Sequence, residues 1–199
     1  MNQVEPLGGH TLTGRFIALE PLEQGHLPAL IAAGRDPSIW TYMPHDVSDG
    51  VGPMLRGILS ENIEGRMISF AVRRLSDGAL VGSTSYMNIV PEHARVEIGA
   101  TWYSPDAQAT AVNPEAKYLL FSHAFGAHYN RVELKTDSKN ARSRAAMVKM
   151  GAKEEGTLRS HMWVPQGYFR DTVYFSIIAS EWPPVKDKFE ARLAAFRLS

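Results

Sequence analysis

The sequence predicts an α+β fold built on a mixed, mostly antiparallel sheet of about seven strands flanked by helices. Three observations carry that expectation. Residues 68–73, 80–89 and 95–103 are consecutive strand-like runs. The chain from residue 114 onward alternates helix with strand, and two long strand patterns close it around Pro165-Gln166-Gly167. The chain has 199 residues with no internal repeat or low-complexity stretch, so residues 1–199 are expected to form one domain.

Taken in order, residues 15–20 alternate like a strand, and residues 23–33 place Leu27, Leu30 and Ile31 at helical spacing. An aromatic loop follows over residues 36–44 and carries Trp40 and Tyr42. Residues 51–64 predict a second helix with Met54, Leu55, Ile58 and Leu59 inward. The runs 68–73 and 80–89 are joined by Ser76-Asp77-Gly78, a tight-turn signal that makes them an antiparallel hairpin. In the third run, alternation puts Val96, Ile98, Ala100 and Trp102 on one face and Glu97, Gly99, Thr101 and Tyr103 on the other.

The next helix is expected over residues 114–128, with Asn113 as N-cap, Pro114 at the first helical position and Glu115 in the first turn. Its stripe of Ala116, Leu119, Leu120, Ala124 and Ala127 faces a sheet. A strand over 131–136 and a helix over 141–150 precede the closing strand pair. Residues 181–199 read as a C-terminal helical tail with Val185, Phe189, Leu193 and Phe196 on one side, which packs on the core or on a second copy in a homodimer.

Composition narrows the function. Lys plus Arg number 21 and so do Asp plus Glu, so no global field points to nucleic acid or to an anionic membrane. The absence of cysteine removes disulfides, thiolate metal sites and a cysteine nucleophile. The seven histidines show no metal-ligand spacing, so no metal is expected. No apolar run reaches the length of a membrane span and residues 1–13 lack a signal-peptide pattern, which makes a cytoplasmic location the default expectation.

Chemistry concentrates after the third strand-like run. The turn Gln108-Ala109-Thr110-Ala111-Val112-Asn113 is built of small residues and leads into a helix start, whose unpaired N–H groups attract phosphate. A plain strand-to-helix connection reads the same residues equally well. Glu97 is set apart from the apolar row of its strand, where an ion pair with Arg95 or Arg131 is the structural reading. Asn140 and Ser143 lie three apart at a helix start, where Asn140 is a good N-cap. Lys117 and Arg142 are helix cations of the kind usually solvated.

The order of strand, Gln-x-x-small loop, helix, strand, Asn-x-x-Ser helix and final strand pair resembles the GNAT superfamily of N-acetyltransferases. The chain is most similar to its ribosomal-protein N-terminal acetyltransferase branch. The match is best at Val96-Glu97-Ile98-Gly99, Asn113-x-Glu115-Ala116-Lys117, Arg131-Val132-Glu133-Leu134-Lys135-Thr136-Asp137 and Asn140-Ala141-Arg142-Ser143-Arg144-Ala145-Ala146. The likeness runs from about Thr13 to Pro183.

The resemblance implies a sheet splayed at an acyl-CoA cleft and transfer of an acetyl group from acetyl-CoA to a primary amine. The amine would be a protein N-terminus, an amino acid or a small amine, attacking directly in a ternary complex. It implies that residues Gln108, Ala109, Thr110, Ala111, Val112 and Asn113 hold the cofactor phosphates, and that Trp102, Tyr103 and Ser104 offer backbone groups to the pantetheine arm. Asn140 would reach the pantetheine, Glu97 would take the ammonium proton, and Ser143 would protonate the departing thiolate, since residues 141–150 hold no tyrosine. Trp40 and Tyr42 would cover the acceptor, and Asp171 would receive its ammonium unless it pairs with Arg159 or Arg170.

Two departures from the family loop stand out: Ala111 occupies a place where glycine is usual, and Asn113 ends the motif. A positive φ at Ala111 would strain it. A catalytically silent CoA-binding or regulatory module is therefore the alternative, as is a transferase for a larger donor such as succinyl-CoA.

Overall fold

The computed structural model describes residues 3–197; the outermost residues of the expected domain and of its tail lie outside the described residues. Its strands are β1 (Leu12–Thr13), β2 (Ile17–Pro21), β3 (Ile68–Arg74), β4 (Leu80–Val90), β5 (Arg95–Tyr103), β6 (Arg131–Asp137), β7 (Lys153–Val164) and β8 (Tyr168–Ile178). Its α-helices are α1 (Leu27–Ala33), α2 (Val51–Ile63), α3 (Val112–Gly126), α4 (Ala141–Lys149) and α5 (Trp182–Ala194). Among the described residues the eight strands form one sheet in the order β1-β2-β3-β4-β5-β6-β8-β7. The strand beyond the expected seven is β1, a two-residue edge paired with β2 and too short for a period to show in sequence. None of the described helices is long and apolar enough to cross a membrane.

Every neighbouring pair is antiparallel except β5 and β6, which α3 connects as a parallel crossover. That parallel ladder holds only Arg95↔Arg131, Val96↔Val132 and Glu97↔Glu133. Beyond it β5 runs on to Tyr103 and β6 to Asp137 with no further pairing between them, so the sheet opens into a gap. The expected splay lies here.

Helices cover both faces. One core packs Val96, Ile98, Leu134 and Phe175 of the sheet against Leu120 and Phe121 of α3, Met147 of α4 and Phe189 of α5. The other packs Leu30 of α1 and Leu55 and Ile58 of α2 against Ala71 and Trp102. Helix α5 stacks Trp182 on Phe125 at 5.3 Å between centroids, so the tail is part of this core. The helix expected from residue 23 begins as a single 3₁₀ turn and becomes α only at Leu27.

One expectation about β5 fails. Ser83 pairs with Trp102 and Ser85 with Gly99, so Ala100 and Thr101 together face Thr84, and Ala100 takes φ +47°. This bulge advances the strand by one residue and reverses the alternation after it. Val96 and Ile98 face α3, whereas Ala100 and Trp102 face α1 and α2, and Tyr103 returns to the α3 side.

Candidate active site

The loop before α3 begins the site. The Thr110 hydroxyl donates to the carbonyl of Ala107 at 2.7 Å and accepts from the N–H of Val112 at 3.2 Å. That turn starts the helix at Val112 with Ala111 as its cap, so Asn113 is not the N-cap. Asn113 and Pro114 fall within the first turn, where a missing N–H costs no helix bond. Ala111 is right-handed, at φ −67° and ψ −17°, and carries no strain. The left-handed residue is Ala109, at φ +62°. Among the described residues, no partner within the protein accepts from the N–H groups of Ala109, Thr110, Ala111 or Asn113. These donors gather in one turn and fit a diphosphate.

Gln108 closes the mouth of the gap. Its amide N–H donates to the carbonyl of Tyr103 at 3.0 Å, and its oxygen accepts from Arg142 of α4 at 2.8 Å. The N–H of Ser104 donates to Val81, and the Ser104 hydroxyl to Asp106. Tyr103 and Trp102 are core side chains whose polar atoms, Oη and Nε1, are buried without a partner. Burial pushes the Tyr103 hydroxyl upward, so it stays protonated.

Glu97 is 1% exposed on the face away from α3. Its Oε2 accepts from Asn88 at 2.8 Å and from Lys135 at 3.0 Å, while Oε1 is buried without a partner. The partner is thus Lys135 and not Arg95 or Arg131, both of which turn to Glu133. From the opposite side Lys117 of α3 reaches β5, and it too is buried, contrary to the expected solvated cation. It shares a helix stripe with Leu120, Phe121 and Ala124, a spacing that could have revealed its burial.

At the top of α4, Asn140 caps the helix by accepting from the N–H of Ser143 at 3.0 Å. Helix α4 lies on the α3 side of the sheet, where Met147 joins the same core, and Glu97 lies on the opposite face. On the Glu97 face, alternation of β6 and β8 adds Lys135, Asp137, Tyr168, Arg170 and Thr172. The Tyr168 hydroxyl donates to Asp137. Burial, then this bond to a carboxylate, pushes its pKa up to about 12.

The aromatic loop lies over this face. Gln166, in the β7–β8 turn, donates to the carbonyls of Trp40 at 2.9 Å and Met43 at 3.1 Å. Trp40 itself is buried, donates to Gly34 at 2.9 Å and packs on Trp102 at 5.3 Å, so it anchors the loop. Tyr42 is exposed. A hollow of about 460 Å³ between this loop and α2 is lined by Met54, Ile58, Met67, Met87 and Ala100 together with the polar His45, Asp46 and Glu61. Asp171 alternates to the other face of β8 and accepts from the N–H of Ser160 at 2.7 Å, so it is not gathered with Glu97 and pairs with neither Arg159 nor Arg170. Sequence reasoning offered Arg170 only as a partner for Asp171 and passed over Tyr168, since their polar alternation resembles a solvated strand face.

Comparison with known proteins bears on the family and the fold. The family model described as "Acetyltransferase (GNAT) domain" matches residues 17–153. The "Putative ribosomal N-acetyltransferase YdaF" of Bacillus subtilis (strain 168) is 32% identical over 109 residues, which span 54% of this chain and 58% of that protein. A GCN5-related N-acetyltransferase from Brucella melitensis has a crystal structure that superposes with a TM-score of 0.86 at 30% identity, over 94% of this chain and 86% of the other. Mycobacterium smegmatis RimJ, in a structure with CoA-disulfide, shares the fold at a TM-score of 0.76 and 24% identity, over 95% and 93% of the two chains.

Proposed function

Because the chain belongs to the GNAT acetyltransferase family and is an acyl-CoA-dependent acetyltransferase, we propose that its acceptor is a primary amine that attacks the thioester directly in a ternary complex. The observation that carries this reading is the gap beyond Glu97 and Glu133, which has unpaired backbone donors at the start of α3 on one side and a buried carboxylate oxygen on the other.

Acetyl-CoA, when bound, supplies the activated acyl group. The N–H groups of Ala109, Thr110, Ala111 and Asn113 hold its phosphates. The free edge of β5 pairs with the peptide-like pantetheine arm near Trp102, Tyr103 and Ser104, with Gln108 swinging from the Tyr103 carbonyl to admit it. Asn140 places the top of α4 beside that arm. Glu97 Oε1 accepts the proton that the ammonium must lose before its nitrogen can attack. As the new C–N bond forms and the C–S bond breaks, the nitrogen sheds its second proton to water, while the Ser143 hydroxyl gives its proton to the sulfur and is reprotonated from solvent. Tyr42 forms the exposed wall of the acceptor site, and the kinship with a protein described as a ribosomal N-acetyltransferase favours a protein N-terminus as the acceptor.

The test is thiol release from acetyl-CoA in the presence of a panel of amines. Release that depends on the amine supports the reading; tight CoA binding with no release across peptides, amino acids and small amines overturns it.

A further inference from the structure

Arg170 stands out on the Glu97 face. Its residue is only 3% exposed, yet among the described residues no carboxylate lies within 4.0 Å of its guanidinium and no protein group accepts from it. Nε is sealed from solvent with no partner. Burial draws its pKa below the ordinary value, while the nearby charges of Asp137, Tyr168 and Glu97 work in the opposite sense. Asp137 does not take the guanidinium because its own oxygens accept from Lys139 N–H at 2.8 Å and from the Tyr168 hydroxyl. A buried cation left in this state is costly unless something else completes it.

The chemistry of the missing partner can be read from the face. A guanidinium fork requires oxygen acceptors, in a carbonyl or a carboxylate. Glu97 Oε1, on the same face, requires an N–H donor. One small unit offers both at short separation: an amine whose neighbouring carbon carries a carbonyl oxygen. The hollow is mainly apolar, lined by Met54, Ile58 and Met87 with Asp46 and Glu61 also on its wall, and suits the substituent of that carbon.

We propose that Arg170 is a specificity-determining residue that grips the oxygen next to the acceptor amine, so that the acceptor is an α-amino acyl unit and not a simple alkylamine. The unit N–C–C=O is shared by a peptide N-terminus and a free amino acid. The inference rests on the reading of this face as the acceptor site of an acetyltransferase.

Equilibrium binding tests it without requiring turnover. Calorimetry on the CoA-loaded protein would compare L-alanyl-glycinamide, L-alanine and isopropylamine, which keeps the amine and loses the oxygen. One of the first two should bind about tenfold or more tighter than isopropylamine, the preference expected of a hydrogen bond to a charged donor. Arg170→Met should erase that preference, and Arg170→Lys should restore part of it. Tighter binding of the dipeptide amide identifies a chain N-terminus, and tighter binding of L-alanine a free amino acid. Equal binding of all three, or a preference that survives Arg170→Met, overturns the proposal. Should that variant not fold, the wild-type comparison still decides. Absence of thiol release would count against amine acetylation and leave this comparison standing.

Discussion

Lys117 of α3 donates through Nζ to the Oγ1 of Thr101 on β5 at 2.8 Å, and the two meet because the bulge at Ala100 turns Thr101 toward α3. Thr101 Oγ1 also lies 2.8 Å from the hydroxyl of Thr84, so a short polar chain runs beneath the gap.

This arrangement predicts a pH-dependent stability. Burial pulls the Lys117 pKa down from 10.5 to about 7, with the Glu97 charge acting against it. Between those two values the unfolded chain holds a proton that the folded chain has released, so stability rises with pH across that window. Below about pH 7 both states are protonated and the slope vanishes. The slope is at most about 1.4 kcal/mol per pH unit. Urea unfolding at about pH 6.5 and about pH 9 should show wild type gaining roughly 2 kcal/mol relative to Lys117→Met. Parallel pH profiles for the two proteins would refute the assignment.

Glu115 is a second buried polar group, and its role is mechanical. Its carboxylate accepts the N–H groups of Arg15, Phe16 and Ile17 at 2.8, 2.6 and 2.8 Å, which pins the start of β2 to α3. Glu115→Ala strands those donors and should cost about 3–5 kcal/mol, measured by denaturant midpoint, because each bond to a charged group is worth roughly 1.5–3 kcal/mol and three that share one carboxylate add to less than their sum. Gly14 sits so close that an added Cβ would lie 2.4 Å from the Glu115 carboxyl carbon, so Gly14→Ala should be destabilising as well.

Glu97→Gln removes the acceptor of the amine proton and keeps the side-chain volume. The expected outcome is a fall in kcat of about 10²-fold, within the range for general bases, with the acidic limb of the pH–rate profile lost. Affinity for CoA, measured by calorimetry, should be unchanged. An unaltered pH–rate profile would remove Glu97 from this role.

The loop makes a paired prediction. Ala109 is left-handed and Ala111 is not, so Ala109→Gly should raise stability by about 0.5–1 kcal/mol by relieving the strained residue. Ala111→Gly should give no gain. The reverse ranking in thermal melts would contradict the described turn.

Much of the architecture was legible because it rests on periodicity. Strand β5 spans the expected residues 95–103, and the hairpin of β3 and β4 turns at Gly78 with φ +72°, as the Ser-Asp-Gly signal requires. The bulge at Ala100 was not legible, since no glycine marks it and its register depends on β4 across the sheet. The N-cap moved from Asn113 to Ala111 because the Thr110 hydroxyl competes for the same helix start. In the site, Glu97 lies in the last pair of the β5–β6 ladder and Asn140 caps α4, as alternation and the Asn-x-x-Ser spacing suggest. Trp40 and Asp171 illustrate the limit: whether an aromatic turns inward, or a strand residue faces one side of the sheet, is decided by partners distant in sequence such as Trp102 and Ser160.

The two halves of the sheet are laced together by three register pairs beside Glu97 and then left unbuttoned. A sheet usually gains stability by extending its ladder, and here two neighbouring strands long enough to continue it do not. The fold therefore keeps a strip of main chain permanently short of one strand. A guest that offers N–H and C=O groups at strand spacing could complete that strip, so the scaffold can select through its own backbone before any side chain is consulted.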